Sequence, residues 1–410
     1  MEQQDGVALT LVEVVHAQPV GLEPVRREGV VGQRREALVG CAKDVDARIF
    51  AVVRALTWDQ VVARRLERSS LDVRAPRERL LDVARATCGV HAQLATGAEL
   101  ALSARVEGVT RDDVRDALWQ TRQLVKAATL RTTLHLHPTD DVPLWKSLPL
   151  IGTRWREPKW LAWQGLTRAE AERLREQVLA VLDDGEPRTR GEIGAAIGGQ
   201  AGTHLAADSW AHFLAPASDL LCHGPPRGRN VTFARCDRWV AGWHELDARE
   251  AQLEACRRYL TTYGPARRDE LEHWLAWKLP DDVWDGLSLE QVDVEGYRTF
   301  VLPGDEFADR EPSGVRLLSH YDVYVVACHP RDHLIPEQKE RVFFRGAGPQ
   351  PSLLVDGRVA GVWRRTQRGR RVELLVEPFR RLTKAQQGAL ADDARRVAGT
   401  VGAEPVLELA

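Results

Sequence analysis

The sequence predicts an α+β protein of three tandem winged-helix units followed by a β-rich, barrel-like C-terminal module. Two patterns recur three times along the chain: helices with capping or proline signals at their ends, and a β-hairpin that closes each group of helices. A further hairpin is expected around Asp356-Gly357, because this pair favours a type I′ turn. The predicted boundaries are 56–150, 165–245, 246–310 and 311–410.

The first unit begins at Thr57, which with Gln60 forms a capping box ahead of an apolar stripe. Pro76 is suited to the start of a second helix, and Thr110 opens a third that runs to about residue 123. Residues 124–128 and 132–137 have the composition of two short strands. Helices followed by a hairpin indicate a winged helix.

The second and third units repeat this order. In the second, a helix over 168–183, a short helix capped by Thr189 and a helix over 206–217 precede strands at 220–223 and 231–234. In the third, a helix from about 248 ends at Gly264-Pro265, and two shorter helices precede strands at 291–294 and 298–302.

The two ends of the chain differ from these repeats. Residues 1–55 have no clear helical or strand period, so we expect a poorly ordered N-terminal extension. Residues 315–327 and 371–379 are β-rich, and Thr383 opens a final helix that runs to about residue 401. These segments predict the C-terminal module.

Composition narrows the classes of function. The 410 residues carry a net charge of −2, and charged residues interrupt every apolar run, so no membrane span or signal peptide is expected and the chain is predicted to be cytoplasmic. The six cysteines form no C-x-x-C pair, which indicates reduced, packed thiols and no zinc site. No metal or cofactor is predicted.

Arginine is concentrated at two predicted hairpins, where guanidinium groups could bind DNA phosphates. The alternative for each is a solvated surface run, and the near-neutral net charge confines any contact to one face. The predicted DNA-binding residues are Arg227, Arg229 and Arg235 in the second wing and Arg364, Arg365, Arg368 and Arg370 in the C-terminal hairpin.

His91 and Gln93 are the candidate catalytic residues. With one residue between them, they share a side if the segment is extended. Histidine can serve as a general base, and glutamine can orient a water without ionising. The alternative is a helix C-terminal histidine beside a loop glutamine. Such a pair suits hydrolysis of a bond whose leaving group is already activated.

Three further residues are candidates for active-site support. Thr133 and His135 share one face of a predicted strand with His137, a face that either lines a cleft or is an ordinary polar surface. Asp322 is predicted to lie in an apolar strand, where an unpaired carboxylate is costly. We therefore expect a functional or an ion-paired Asp322.

Several motifs together resemble the AlkZ-like family of winged-helix DNA glycosylases, also called the helix-turn-helix 42 family. The resemblance covers about residues 56–410. The motifs are Thr57-Trp-Asp-Gln-Val-Val-Ala-Arg-Arg65, Gly89-Val-His-Ala-Gln93, Leu130-Arg-Thr-Thr-Leu-His135, Cys222-His-Gly-Pro-Pro-Arg-Gly-Arg-Asn-Val-Thr-Phe233, Tyr263-Gly-Pro265 and Leu353-Leu-Val-Asp-Gly-Arg-Val359.

The resemblance implies three winged helices around a DNA-binding channel and excision of N-alkylated purines. The family signature is Gln-x-Gln or Gln-x-Asp, whereas this chain has His91 and Gln93. That departure resembles a His-x-Gln branch associated with self-resistance in actinomycetes that make bulky, guanine-N7-alkylating antibiotics. The expected enzyme is monofunctional and monomeric, and its partner is alkylated double-stranded DNA. The alternatives are a winged-helix transcriptional regulator and a family member that binds lesions without cutting.

Overall fold

The computed structural model describes residues 53–149, 151, 153–199, 214–343 and 348–410. Most of the predicted N-terminal extension and most of the helix predicted over 206–217 lie outside these residues. Of that helix, the described part contains a short 3-10 helix at Ala215–Ala217. The predicted extension ends two residues too late, because Arg54 already begins a strand.

Residues 53–149 supply five α-helices and four strands. Thr57 and Gln60 form the predicted capping box, and Thr110 with Asp113 forms another at the helix predicted there. The helix Ala95–Ser103 was not predicted, because its buried residues lie on all sides and leave no amphipathic period. The elements are β1 (Arg54–Leu56), α1 (Trp58–Arg68), α2 (Leu80–Ala86), β2 (Val90–His91), α3 (Ala95–Ser103), α4 (Arg111–Trp119), β3 (Leu124–Ala128), β4 (Leu134–Pro138) and α5 (Val142–Lys146).

The second unit follows a short connecting helix. Thr167 and Thr189 both form capping boxes, and the hairpin turns at Gly228. Its described elements are α6 (Pro158–Gln164), α7 (Arg168–Val181), β5 (Arg188–Thr189), α8 (Arg190–Ile197), β6 (Leu221–Arg227), β7 (Asn230–Arg235) and α9 (Cys236–Trp239).

The third unit begins at an Asp247 N-cap and contains three helices and a hairpin. Its elements are α10 (Ala248–Tyr263), α11 (Arg268–Leu275), α12 (Asp281–Asp285), β8 (Glu290–Val294) and β9 (Tyr297–Val301). The hairpin turns at Glu295 and Gly296, both with positive φ, as a two-residue turn requires.

All three units share one topology beyond helices and a hairpin. After its first helix, each has a short extended segment that pairs antiparallel with the last wing strand: β2 with β4, β5 with β7, and Ala266 with Phe300. A single backbone pairing, Ala127 with Cys222, joins the first two wings into one six-stranded sheet.

Helix α1 packs with the third unit. β1 runs parallel to β8, and Trp58 and Val61 on α1 share a core with Val292 and Val301. The first winged helix is therefore built on α2 through β4. The boundary predicted at residue 56 cuts the chain inside an element that belongs spatially to residues 248–301.

The C-terminal module is a five-stranded sheet, curled into half a barrel, with one helix against it. Asp356 and Gly357 have positive φ, as the predicted type I′ turn requires. The strands are β10 (Val315–Leu318), β11 (Ser352–Val355), β12 (Arg358–Arg368), β13 (Arg371–Pro378) and β14 (Glu404–Leu409). The helices are α13 (Val323–Ala327), α14 (Arg331–Leu334), α15 (Lys339–Val342) and α16 (Lys384–Thr400).

No helix in the described part of the chain is both long and apolar enough to cross a membrane.

Candidate active site

Gly89 lets the chain enter β2 in contact with a buried histidine. Its φ is +90°, and a Cβ on this residue would overlap the imidazole of His137. The strand that follows pairs His91 with His135 across the sheet. Glycine at position 89 thereby brings His91 on β2 beside His135 on β4 and leaves room for His137 directly beneath the entry to β2.

The loop that carries Gln93 is longer in the first unit than in the second. In the second unit, Thr189 is both the last residue of β5 and the N-cap of α8. In the first unit, Ala92 and Gln93 separate β2 from the N-cap, Leu94, which has no capping side chain. Gln93 is exposed, so this insertion sets an amide at the surface beside His91.

His91 ends a row of aromatic rings that leads into the core. The centroid distances are 5.2 Å from His91 to His135, 5.9 Å from His135 to His137, and 5.2 Å from His137 to Trp145. The His135 Nδ1 donates to the carbonyl of Thr133 at 2.9 Å. In the neutral ring, Nε2 is therefore an acceptor, and it has no hydrogen-bond partner among the described residues.

Tyr321 covers the other side of His91. The two rings lie 4.7 Å apart and 31° from parallel. Tyr321 has a φ of +58°, and Gly348 leaves room for its ring, because a Cβ there would overlap it. The C-terminal module thus contributes one wall of a site whose other residues come from the first unit.

The electrostatics keep the histidines neutral. Burial, together with the positive charges of Arg131 and Lys126, lowers the pKa of His91 to about 3. Burial, together with His91 and Arg131, holds the pKa of His135 well below its usual range. A neutral His91 can accept a hydrogen bond from water, and the Gln93 amide can orient the same water.

No group of three His, Cys, Asp or Glu residues in the described ranges is arranged to hold a metal ion. The groups that act on the pKa of His91 are all cationic. Any negative charge beside His91 therefore has to come from outside the groups that act on its pKa.

A family model described as "DNA glycosylase AlkZ-like" matches residues 84–400. The chain belongs to the AlkZ-like DNA glycosylase family. It is 31% identical to the "Interstrand DNA cross-link repair glycosylase" of Streptomyces sahachiroi over 374 residues, 84% of this chain and 97% of that protein. The solved structure of Streptomyces sahachiroi DNA glycosylase AlkZ has a TM-score of 0.76 and 28% identity, with 87% of this chain and all of that chain covered.

Family membership makes this AlkZ-like protein a DNA glycosylase, a hydrolase of N-glycosyl bonds. The winged helices alone were compatible with either an enzyme or a transcriptional regulator, and family membership decides for the enzyme. The matched residues include His91 and Gln93, and the solved relative confirms the mixed α+β fold.

Two of the predicted support residues of this AlkZ-like enzyme have other tasks. Asp322 is not in a strand: it is the N-cap of α13, and both carboxylate oxygens accept hydrogen bonds from Arg105. It is therefore the ion-paired alternative. The Thr133 hydroxyl bonds to the carbonyl of Leu130, and its own carbonyl orients His135.

Tyr321 and Arg131 were not predicted as site residues. Tyr321 is 230 positions from His91 along the chain, and the only local signal was its position before a helix-capping aspartate. Arg131 is followed by Thr132, and both have positive φ, an arrangement that side-chain pattern does not reveal.

The arginines predicted to bind DNA fall into two groups. Arg235 is mostly buried and pairs with Asp183 and Asp237 at 2.9 and 2.6 Å, so its role is structural. Arg227 is exposed but pairs with Glu192 at 2.6 Å. Arg229 and Arg370 are exposed and form no ion pair with a described residue.

Only part of the C-terminal arginine cluster lies at a hairpin tip. β12 and β13 are long, and their turn consists of Gly369 and Arg370, with Arg368 beside it. Arg364 and Arg365 lie in the middle of β12, on opposite faces, because strand side chains alternate. Arg365 is half-buried, and burial with nearby Arg111 lowers its pKa.

We expect the Arg364→Ala/Arg365→Ala variant to bind duplex DNA more weakly. Each lost phosphate contact should reduce the slope of log Kd against log salt by about 1. Fluorescence anisotropy between about 50 and 200 mM salt measures the slope. Arg168→Ala is the matched control, since Arg168 is an exposed arginine paired with Glu172 and lies outside the predicted DNA-binding set. An unchanged slope in the double variant would remove these residues from the interface.

Proposed function

We propose that this chain is a monofunctional glycosylase that hydrolyses the N-glycosidic bond of N7-alkylated guanine in double-stranded DNA. The observation that carries the proposal is a neutral His91 next to an exposed Gln93, on a loop that is longer than its counterpart in the second unit. In this proposal His91 accepts the proton of the attacking water, and Gln93 holds that water against C1′ of the sugar.

The chemistry needs only a weak base. Alkylation at N7 makes the guanine ring cationic, so the bond from C1′ to N9 is already weakened. As water attacks C1′, the electron pair of that bond passes to the purine, which leaves as a neutral base. The water proton passes to His91 and then to solvent. A neutral histidine of low basicity suffices for this step, because the bond that breaks is already activated.

Two observations favour bulky adducts. Gln93 and Leu94 are exposed, so the site opens to solvent on the side where the adduct would lie. The relative from Streptomyces sahachiroi is named for interstrand cross-link repair, which is also a bulky lesion. We further propose a role in self-resistance to a natural product that alkylates DNA, with the enzyme acting as a cytoplasmic monomer.

We expect the wild-type protein to release free 7-methylguanine from a duplex with one such lesion and to leave an intact abasic strand. Mass spectrometry measures the base, and a denaturing gel after borohydride treatment measures covalent capture. Lys126 acts on His91 electrostatically, so it is the first residue to examine in any trapped complex.

A duplex with O6-methylguanine is the control. Its purine ring is neutral at N7, so no base should be released. Release from this duplex, absence of release from the N7-methylated one, or a borohydride-trapped protein–DNA complex would each contradict monofunctional excision of N7-alkylguanine.

A further inference from the structure

A second group of basic side chains lies where the first unit, the third unit and the C-terminal module meet. Arg131 follows β3, His273 is on α11, and His329 and Arg331 flank the start of α14. The Arg131 Nη1 donates to the carbonyl of Trp274 at 2.8 Å. The rings of His273 and His329 are 5.2 Å apart, edge to face.

This group lacks a counter-charge among the described residues. The groups that act on Arg131 are Arg331 and a tyrosine, and those that act on His273 are Arg331 and Arg131. Burial and Arg331 lower the pKa of Arg131 to about 10, so it is still charged at neutral pH. Backbone carbonyls accept some of their hydrogen bonds, Trp274 from Arg131 and Val325 and Val326 from Arg331, but no carboxylate in the described part of the chain balances these two partly buried charges.

Two further observations indicate a ligand. His329 is 8% exposed, and its Nε2 has no hydrogen-bond partner among the described residues, which is unusual for a buried polar atom. Arg131 and Thr132 both have φ near +55°, which is unfavourable for two successive residues other than glycine. Such strain is concentrated at functional sites.

We infer that Arg131, His273, His329 and Arg331 form a pocket for one backbone phosphate of the damaged DNA. The inference rests on the proposed function. Guanidinium groups bind phosphate with paired, charge-assisted hydrogen bonds, and neutral imidazoles add N–H donors. The pocket requires all three parts of the fold, so an isolated winged helix cannot supply it.

The pocket is coupled to base excision through Arg131. Arg131 lies in the turn between β3 and β4, the strand that carries His135, and its charge acts on both His91 and His135. In the proposed mechanism the same charge would oppose a developing positive charge on the sugar. A phosphate bound to Arg131 offsets that unfavourable field. The DNA itself then supplies the anion that the residues acting on His91 lack.

A methylphosphonate scan tests the pocket. Single neutral linkages are placed one at a time around an N7-methylguanine, and base release is measured under single-turnover conditions. We expect one linkage to slow the wild-type enzyme about tenfold or more, whereas the same linkage has less than about a threefold effect in Arg131→Ala. His273→Ala should also reduce the effect, and because His273 is exposed this variant should fold.

Arg168→Ala is the control, because Arg168 is an exposed arginine on α7 that pairs with Glu172 and belongs to neither the pocket nor the predicted DNA-binding set. It should keep the full methylphosphonate effect. An equally large effect in Arg131→Ala and His273→Ala, or no sensitive linkage, would overturn the pocket. The same cycle measured as equilibrium binding tests the pocket even if no base is released, whereas absence of release from the unmodified backbone would count against the proposed function alone.

Discussion

His91→Ala is expected to slow release of 7-methylguanine by about 10² to 10³ fold under single-turnover conditions. The imidazole is the group that accepts the water proton in the proposed mechanism, and alanine leaves nothing in its place. Affinity for the lesion duplex should stay within about twofold, because His91 is mostly buried and makes little of the DNA interface. Quenched-flow or manual sampling of free base measures the rate, and anisotropy measures the affinity.

Two variants separate chemistry from structure. Gln93→Ala removes an exposed amide, so it should fold normally and still slow release by at least about tenfold. His91→Gln restores the family pattern of Gln-x-Gln, and we expect it to recover most of the activity that His91→Ala loses. His244→Ala, at an exposed histidine, is the control. Wild-type rates in both His91→Ala and Gln93→Ala would show that the site lies elsewhere.

The pH dependence follows from the same residue. Because the pKa of His91 is lowered to about 3, the ring stays neutral throughout the neutral range and becomes cationic only as pH falls toward that value. The rate of release should therefore be flat between about pH 5.5 and 8.5. A drop centred near the ordinary histidine pKa would mean that DNA or solvent restores the basicity of His91.

Asp322→Ala is expected to lower the free energy of unfolding by about 3 to 5 kcal/mol. Both side chains of the Arg105–Asp322 pair are fully buried, and the carboxylate accepts two hydrogen bonds from Arg105, at 2.6 and 2.9 Å. Its loss leaves the guanidinium unpaired in the core and removes the cap of α13. Urea unfolding followed by tryptophan fluorescence measures the change.

Asp82→Ala is the matched control, since Asp82 pairs with Arg79 on the surface. It should cost less than about 1 kcal/mol. The double variant Arg105→Met/Asp322→Leu should recover part of the stability, because it leaves no charge unpaired. Equal losses in Asp322→Ala and Asp82→Ala would mean that the buried pair contributes no more than a surface one.

Local signals predicted most of the elements. Capping boxes at Thr57, Thr110 and Thr189 mark helix starts because the side chain and backbone that pair are three residues apart. Asp356-Gly357 predicts its turn because two positive φ angles suit this pair. α3 gave no such signal, since a helix buried on all sides has no polar face to set a period.

Boundaries between units were less predictable than elements. α1 precedes the first unit in sequence but packs against strands more than 200 residues later. The amphipathic stripe of α1 shows that one face is buried, but it does not indicate which core that face packs into. The two Arg-rich segments likewise predicted positive charge, but ion pairs neutralise part of it, with Asp183, Asp237 and Glu192 in the second wing and with Glu373 and Glu377 on β13.

The sequence by itself determined the repeated units, the turn at Asp356-Gly357 and the pair His91 and Gln93, because each depends on residues within a few positions of one another. Only the tertiary structure decided that His137 lies beneath Gly89, that His91 lies between His135 and Tyr321, that Asp322 is paired with Arg105, and that Arg131 bonds to the third unit beside His273. These contacts join residues up to 230 positions apart, and their energy depends on burial and on neighbouring charge, which no local pattern encodes.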